Sequence, residues 1–363
     1  MKNTFGQSVA LTLFGESHGA EIGVVIDGLA PGIPVSEEFI RHQLSLRRPA
    51  KDGLSTARAE ADPFRIVSGV FEGKTTGTPI CILIPNGDTR SRDYTPEVPR
   101  PGHADYAAEC KYHGFQDYRG GGHFSGRITA ALVAAGAILI SALKAKGILI
   151  GTHIASLAGE RDRAFENLDA DLTALGDMTF PVLETSASEK MKQRIRDAAA
   201  DCDSVGGILE TAVAGIPAGV GEPWFDTVEG VLAHALFSIP AIKGVEFGAG
   251  FAFADLRGSE ANDPIRIKDG RVTMLTNQNG GINGGITNGM PVIFRCAVKP
   301  TPSIAKEQES VDMTRMENVK LSIHGRHDPA VIHRARVVVD SVTALVVCDL
   351  LAQRYGTDFL REK

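Results

Sequence analysis

Cysteine is scarce and badly placed for cross-linking. Cys81, Cys110, Cys202, Cys296 and Cys348 lie far apart, are odd in number and form no Cys-x-x-Cys pair. That argues against a disulfide framework and a zinc site, and makes a reducing cytoplasm the expected compartment. An excess of basic charge is also missing. The 38 Lys and Arg against 44 Asp and Glu leave −6, the wrong sign for a general nucleic-acid binder. Met1-Lys-Asn-Thr-Phe-Gly6 carries no apolar signal-peptide region. The longest apolar window, residues 128–143, falls short of the ~20 residues a membrane span needs, so it reads as a buried helix and no membrane partner is expected. No linker divides the chain, so residues 1–363 are expected to form one mixed α+β domain.

What the chain does have is glycine, 40 residues in short clusters between apolar segments, and enough hydrophobic residues (43%) for a substantial core. Residues 8–14, 22–26, 66–71, 80–84, 148–154 and 292–298 read as strands. A helix is expected after Ser36, whose hydroxyl suits an N-cap ahead of Glu37 and Glu38. Further helices are expected over 127–146, 186–200 and 331–354, and the last is apolar on all sides at 337–347. Residues 50–61 and 86–101 read as loops.

The chemistry concentrates in Arg100-Pro-Gly-His103-Ala-Asp105 and Tyr118-Arg119-Gly-Gly-Gly122-His123-Phe124-Ser125-Gly126-Arg127. Glycines let backbone amides approach a ligand, arginines suit phosphate or carboxylate, and histidines move protons near neutral pH. Gly15-Glu16-Ser17-His18-Gly19 adds a second histidine in a turn between two strands, as a proton donor or as a cap on a carbonyl. Arg47, Arg48, Arg100, Arg119, Arg127 and Arg326 sit at element ends or beside glycines, a set suited to clamping a small polyanion. The glycine loop before residue 127 is suited to a phosphate at a helix N-terminus. It is neither a Walker motif nor a dinucleotide fingerprint. Asp328 reads equally as an N-cap and as a general base. These residues alone indicate an enzyme acting on a small phosphorylated acid, with a phosphate-bearing cofactor as an option.

An internal echo is visible as well. Ser17 precedes Gly28 and Gly32 by 11 and 15 residues, and Ser204 precedes Gly215 and Gly219 by the same intervals. Each interval holds a β-branched strand, and a helix pattern follows. A duplicated strand–turn–helix unit predicts one pseudo-symmetric body.

The motifs resemble the chorismate synthase family across nearly the whole chain. To those quoted above, the match adds Arg47-Arg48-Pro49, Asp117-Tyr-Arg119, Lys243-Gly-Val-Glu246, Lys299-Pro-Thr301 through Ile304, and Arg326-His-Asp-Pro329. The resemblance implies a homotetrameric β-α-β sandwich that converts 5-enolpyruvylshikimate 3-phosphate to chorismate by a 1,4-anti elimination requiring reduced FMN. The rival readings are a non-enzymatic flavin-phosphate binding protein and a flavin-free phospho-lyase. On the matching positions, His18 would protonate the reduced flavin and His103 would act as acid toward the leaving phosphate. Asp328 would assist removal of the C6 proton, with Ser17 and Ser125 in support. Arg47, Arg48, Arg100, Arg127 and Arg326 match substrate clamps. Flavin contacts would come from His123, Phe124, Ser125, Ala241, Gly284, Lys299, Pro300, Thr301, Pro302, Ser303 and Arg326. Two positions depart from the family. His123-Phe-Ser-Gly-Arg-Ile-Thr129 stands where the family usually has Arg-Ser-Ser-Ala-Arg-Glu-Thr. Gly53 stands near a family arginine, so neither an NADPH contact there nor flavin self-reduction is expected.

Overall fold

The computed structural model describes residues 2–50, 53–55, 61–87, 96–323 and 328–361. Two antiparallel five-stranded sheets enclose a layer of helices. The first runs, edge to edge, Thr4–Phe5, Ala10–Gly15, Glu21–Asp27, Ile80–Pro85, Arg65–Ser68. The second runs Glu160–Arg161, Leu149–Leu157, Gly207–Ala214, Val292–Val298, Ile242–Phe247. Between them lie Glu37–Arg47, Thr129–Ala145, Val228–Leu236 and Ile332–Tyr355. Most of the buried apolar residues among those described form one cluster that takes in both sheets and these helices.

Local chemistry explains the elements. Ser36 caps Glu37–Arg47 by accepting from the Phe39 amide at 3.1 Å, with Glu37 and Glu38 against the positive end of the helix dipole. Alternation of buried and half-buried residues along Ile80–Pro85 and Val292–Val298 matches the two-residue period of a strand. Thr129–Ala145 is buried along most of its length, as its apolar composition requires. With its 3₁₀ lead-in the helical run Gly126–Ala145 reaches 20 residues, long and apolar enough by itself to cross a membrane and longer than the sequence window implied. Here 72% of that run is buried, packed between the sheets.

The two long helices pass in the same sense. Gly136 lies against Ser341, and the Leu139 carbonyl lies 3.8 Å from Cys348 Sγ further along both. A Cβ on residue 136 would overlap the Ser341 side chain and backbone, so glycine sets how closely these helices approach.

The echo between the halves is structural. Each half contributes two adjacent strands, a helix, an edge strand, a returning inner strand and a long helix, in that order. Gly28 and Gly215 take φ +83° and +87°, and Gly32 and Gly219 take +87° and +92°. The Gly32 amide donates to the Thr75 carbonyl at 2.8 Å, and the Gly219 amide to the Thr287 carbonyl at 2.8 Å. The Thr75 hydroxyl accepts from Ile33 N (2.9 Å) and donates to Ala30 O (2.6 Å). The Thr287 hydroxyl does the same with Val220 N (3.0 Å) and Pro217 O (2.7 Å). Thus the glycine-rich residues 282–287 form a hairpin equivalent to the one at residues 70–75.

Candidate active site

The turn after Ala10–Gly15 holds Ser17, fully buried, and His18, 9% exposed. The Ser17 amide donates to the Gly122 carbonyl at 3.1 Å, tying the turn to the glycine run. Ser17 Oγ is buried without a hydrogen-bond partner among the described residues. Asn86 braces the turn: its Nδ2 donates to Glu16 O (3.0 Å) and Gly19 O (2.9 Å), and its amide donates to Ala20 O (3.1 Å). Its Oδ1 accepts from Arg127 Nε at 3.0 Å, so one side chain joins the histidine turn to a candidate clamp.

Gly120, Gly121 and Gly122 have φ of +63°, +81° and +54°, a region that L side chains rarely enter. A Cβ on Gly120 would lie 2.5 Å from His18 Cδ2 and Nε2 and 3.0 Å from Ser17 Oγ. One on Gly121 would lie 3.3 Å from His103 Cε1 and Nε2. Two histidines far apart in sequence therefore flank neighbouring residues of one bare stretch of backbone. The glycine run thus lies between the two histidines, and Ser125 caps the 3₁₀ turn that follows, accepting from Arg127 N at 3.3 Å.

On the far side, His103 Nδ1 lies 2.5 Å from Asp105 Oδ1. Asp105 also accepts from Arg100 through Nε (2.7 Å), Nη2 (2.8 Å) and the backbone amide (3.0 Å). Burial pushes the Asp105 carboxyl up, but its bonds to Arg100 and His103 outweigh that and hold it well below the usual carboxylate range.

The arginines divide. Arg47 and Arg127 are buried and share Asp62, Arg47 Nη2 to Oδ2 at 3.0 Å and Arg127 Nη1 to Oδ1. Burial raises the Asp62 carboxyl, and the two guanidiniums more than reverse it. Arg127 Nη2 also donates to Pro85 O at 3.2 Å, and Arg48 Nη1 to Ala61 O at 2.8 Å. Arg119 pairs through Nε and Nη2 with Asp117, both at 2.8 Å, which offsets its charge. Asp328 accepts from Arg334 Nη1 at 2.6 Å, and Arg334 Nε donates to Arg47 O at 2.8 Å, so the carboxylate is held beside the buried arginines. Arg326 lies outside the described residues.

Several residues expected to hold a flavin also converge. The Lys299 amide donates to Ala241 O at 2.9 Å, and Lys299 Nζ reaches Gly102 O, one residue before His103. Pro302 lies 3.3 Å from where a Gly102 Cβ would stand, and the Thr301 carbonyl accepts from Ser204 Oγ at 2.7 Å. Pro300 sits between these, Ser303 is buried, and Thr301 Oγ1 is buried without a partner among the described residues. His123 Nδ1 donates to Gly15 O at 2.8 Å, and the Phe124 ring packs edge-on to Tyr112 at 6.1 Å. Gly284 sits apart, in the hairpin whose neighbours are Glu222 and Thr227. Sequence reasoning missed Asn86, Asp62 and Arg334, and it quoted Asp105 without a role.

Two histidines on a glycine-lined wall, two buried arginines on one carboxylate and two buried hydroxyls without a partner among the described residues suit an acid–base enzyme site for a small polyanion. Comparison with known proteins gives the family. The family model described as chorismate synthase matches residues 9–352. The chorismate synthase of Korarchaeum cryptofilum is 47% identical over 348 residues, covering 95% of this chain and 96% of that protein. That of Pyrococcus abyssi is 47% identical over 351 residues, covering 96% and 97%. A crystal structure of chorismate synthase aligns with a TM-score of 0.76 at 30% identity, covering 97% of this chain and 94% of that one. The chain belongs to the chorismate synthase family.

Proposed function

We propose that the protein is a lyase that converts 5-enolpyruvylshikimate 3-phosphate to chorismate and phosphate by 1,4-anti elimination, the last common step toward the aromatic amino acids. The observation that carries the reading is the placement of His18 and His103 on neighbouring glycines, with His18 braced through Asn86 to the buried Arg127. The reaction removes a proton from C6 and breaks the C–O bond to phosphate, so it needs a proton acceptor, a proton donor and cations at the leaving group. His103, protonated on both ring nitrogens, gives its Nε2 proton to a phosphate oxygen and is left as the neutral ring. The guanidiniums of Arg47, Arg48 and Arg127 offset the charge gathering there. Asp328, oriented by Arg334, serves proton removal at C6, and Ser17 and Ser125 support the relay.

Reduced FMN is the cofactor of this reading. The buried Thr301 hydroxyl, buried Ser303, Lys299 and the 299–303 backbone suit its polar tail, with Ala241 beside them and His123 and Phe124 toward the ring, while Gly284 stands apart from this group. When bound, reduced flavin supplies electron density to the breaking C–O bond, which no side chain can. His18 holds the proton exchanged with it. Flavin reduction by NADPH is not part of this activity. Residues 1–363 act as one domain in the cytoplasm, without membrane or nucleic acid. Trp224, Phe225, Phe251 and Ile267, at 86%, 93%, 85% and 72% exposed, are large apolar groups that favour assembly of copies, and a homotetramer is the proposed form. Anaerobic incubation of the pure protein with reduced FMN and the enolpyruvyl substrate should release chorismate and phosphate. Absence of chorismate would overturn the proposal.

A further inference from the structure

We propose that Asp105 is a positioning residue for catalysis: it fixes His103 as the Nδ1–H tautomer and so makes Nε2 the working nitrogen, with Arg100 holding the Asp105 carboxylate. This rests on the assignment of His103 as the acid that protonates the leaving phosphate.

The geometry decides the tautomer. Nδ1 has two neighbours, Asp105 Oδ1 at 2.5 Å and Arg100 Nη2 at 3.0 Å. A carboxylate oxygen and a bare ring nitrogen are both acceptors, and two acceptors at 2.5 Å repel. A proton between them turns the contact into a short charge-assisted hydrogen bond. With that proton on Nδ1, Arg100 Nη2 has no acceptor there and donates to Asp105 Oδ1 instead, at 2.8 Å. Both contacts to the Asp105 carboxylate are then satisfied, and only the longer 3.0 Å approach of Arg100 Nη2 to Nδ1 is left without a hydrogen bond. The opposite tautomer satisfies Arg100 at Nδ1 and leaves the closer, carboxylate contact repulsive.

Arg100 is placed for this supporting part. Two of its guanidinium nitrogens and its backbone amide bond Asp105, and its carbonyl accepts from His103 N at 3.2 Å, closing the turn. Asp105 opens the helix Asp105–Tyr112, where the dipole also favours an ionised carboxylate. The Nε2 and Cε1 edge of the ring faces Gly121, which has no side chain to bond it, and the nearby cation Lys299 is bonded to Gly102 O. An imidazole locked at Nδ1 presents one defined nitrogen to substrate, as the orienting carboxylate of a serine protease does for its histidine.

The test uses the full-length protein labelled with ¹⁵N-histidine, the His103→Gln variant identifying the His103 signals. At a pH where the ring is neutral, wild type should show a protonated Nδ1 and a bare Nε2. In Asp105→Asn the Nδ1–H population should fall, and kcat for chorismate release should drop about 10²–10⁴-fold, the range of a lost general acid, with KM little changed. Wild-type kcat in Asp105→Asn overturns the proposal. So does a fall in kcat with the ring signals unmoved, which marks a role in folding or packing alone. Where Asp105→Asn fails to fold, the wild-type spectrum decides: a ring protonated on Nε2 overturns the inference. Failure of wild type to release chorismate overturns the functional assignment, and the tautomer is read independently of it.

Discussion

Replacing Gly120 by alanine adds one methyl group between the two halves of the acid–base machinery. The backbone there has φ +63°, which costs alanine about 1–2 kcal/mol relative to glycine. The new Cβ would stand 2.5 Å from His18 Cδ2 and Nε2 and 3.0 Å from Ser17 Oγ. Carbon contacts relax at about 3.5–4.0 Å, so the imidazole must withdraw by about 1 Å. A displacement of that size in a group that must meet a reacting atom costs about 10²-fold in rate. We expect Gly120→Ala to fold, with native circular dichroism and a modestly lowered melting temperature, and to lose about 10²-fold in kcat under anaerobic turnover with reduced FMN. Gly126→Ala is the control, because nothing lies within 4 Å of a Cβ there and its φ is not positive. It should turn over like wild type. Wild-type turnover in Gly120→Ala, or an equal loss in Gly126→Ala, would refute the reasoning that His18 works from against the glycine run.

Other perturbations follow from buried charges. Asp62→Ala strands the guanidiniums of Arg47 and Arg127 against each other, and denaturant unfolding should show a loss of about 3–5 kcal/mol, as for a broken buried pair. Asp349, buried, accepts from the amides of Gln7 (3.0 Å), Ser8 (2.7 Å) and Val9 (2.9 Å). Asp349→Ala should therefore cost at least about 3 kcal/mol, at 1–3 per orphaned amide, and hydrogen exchange should lose protection at residues 7–9. His153 sits between Asp162 (2.8 Å) and Glu210 (3.1 Å). Burial lowers its pKa, but the bonds to Asp162 and then Glu210 raise it above the ordinary value. A raised folded pKa contributes stability that is full below the unfolded value of about 6.5 and is lost as pH rises through the folded one. Wild type should thus lose more melting temperature between pH 6 and 9 than His153→Gln, and equal losses would refute this.

Much of the scaffold was legible because its signals are local. The Ser36 cap and the apolar patterns of the long helices set their limits to within about two residues. The helix Asp105–Tyr112 escaped notice because it buries only Ala108 and has no apolar stripe to read. The repeat was visible at Ser17 and Ser204, where spacing is preserved. It was invisible at Thr75 and Thr287, which follow Gly32 and Gly219 after segments of unequal length. The site was half legible for a related reason. Histidines between glycines are conspicuous, whereas Asn86 meets Glu16 across 70 positions and Asp62 joins Arg127 across 65. Nothing in the loops around either residue marks them as partners. Arg334 hides in the first turn of a helix that otherwise reads as core.

The close pass of Gly136 against Ser341 gives the two long helices the geometry of a caliper. The crossing lies about 10 Å along one helix from Thr129 and about 14 Å along the other from Ile332, at 1.5 Å per residue. Ser125 and Arg127 sit at the open end of one jaw, and Asp328 and Arg334 at the open end of the other. The gap between the groups on the two jaws is therefore gauged deep in the core, at a residue remote from all four of them. A larger side chain at 136 would push the helices apart, and the spacing between these groups would widen with them.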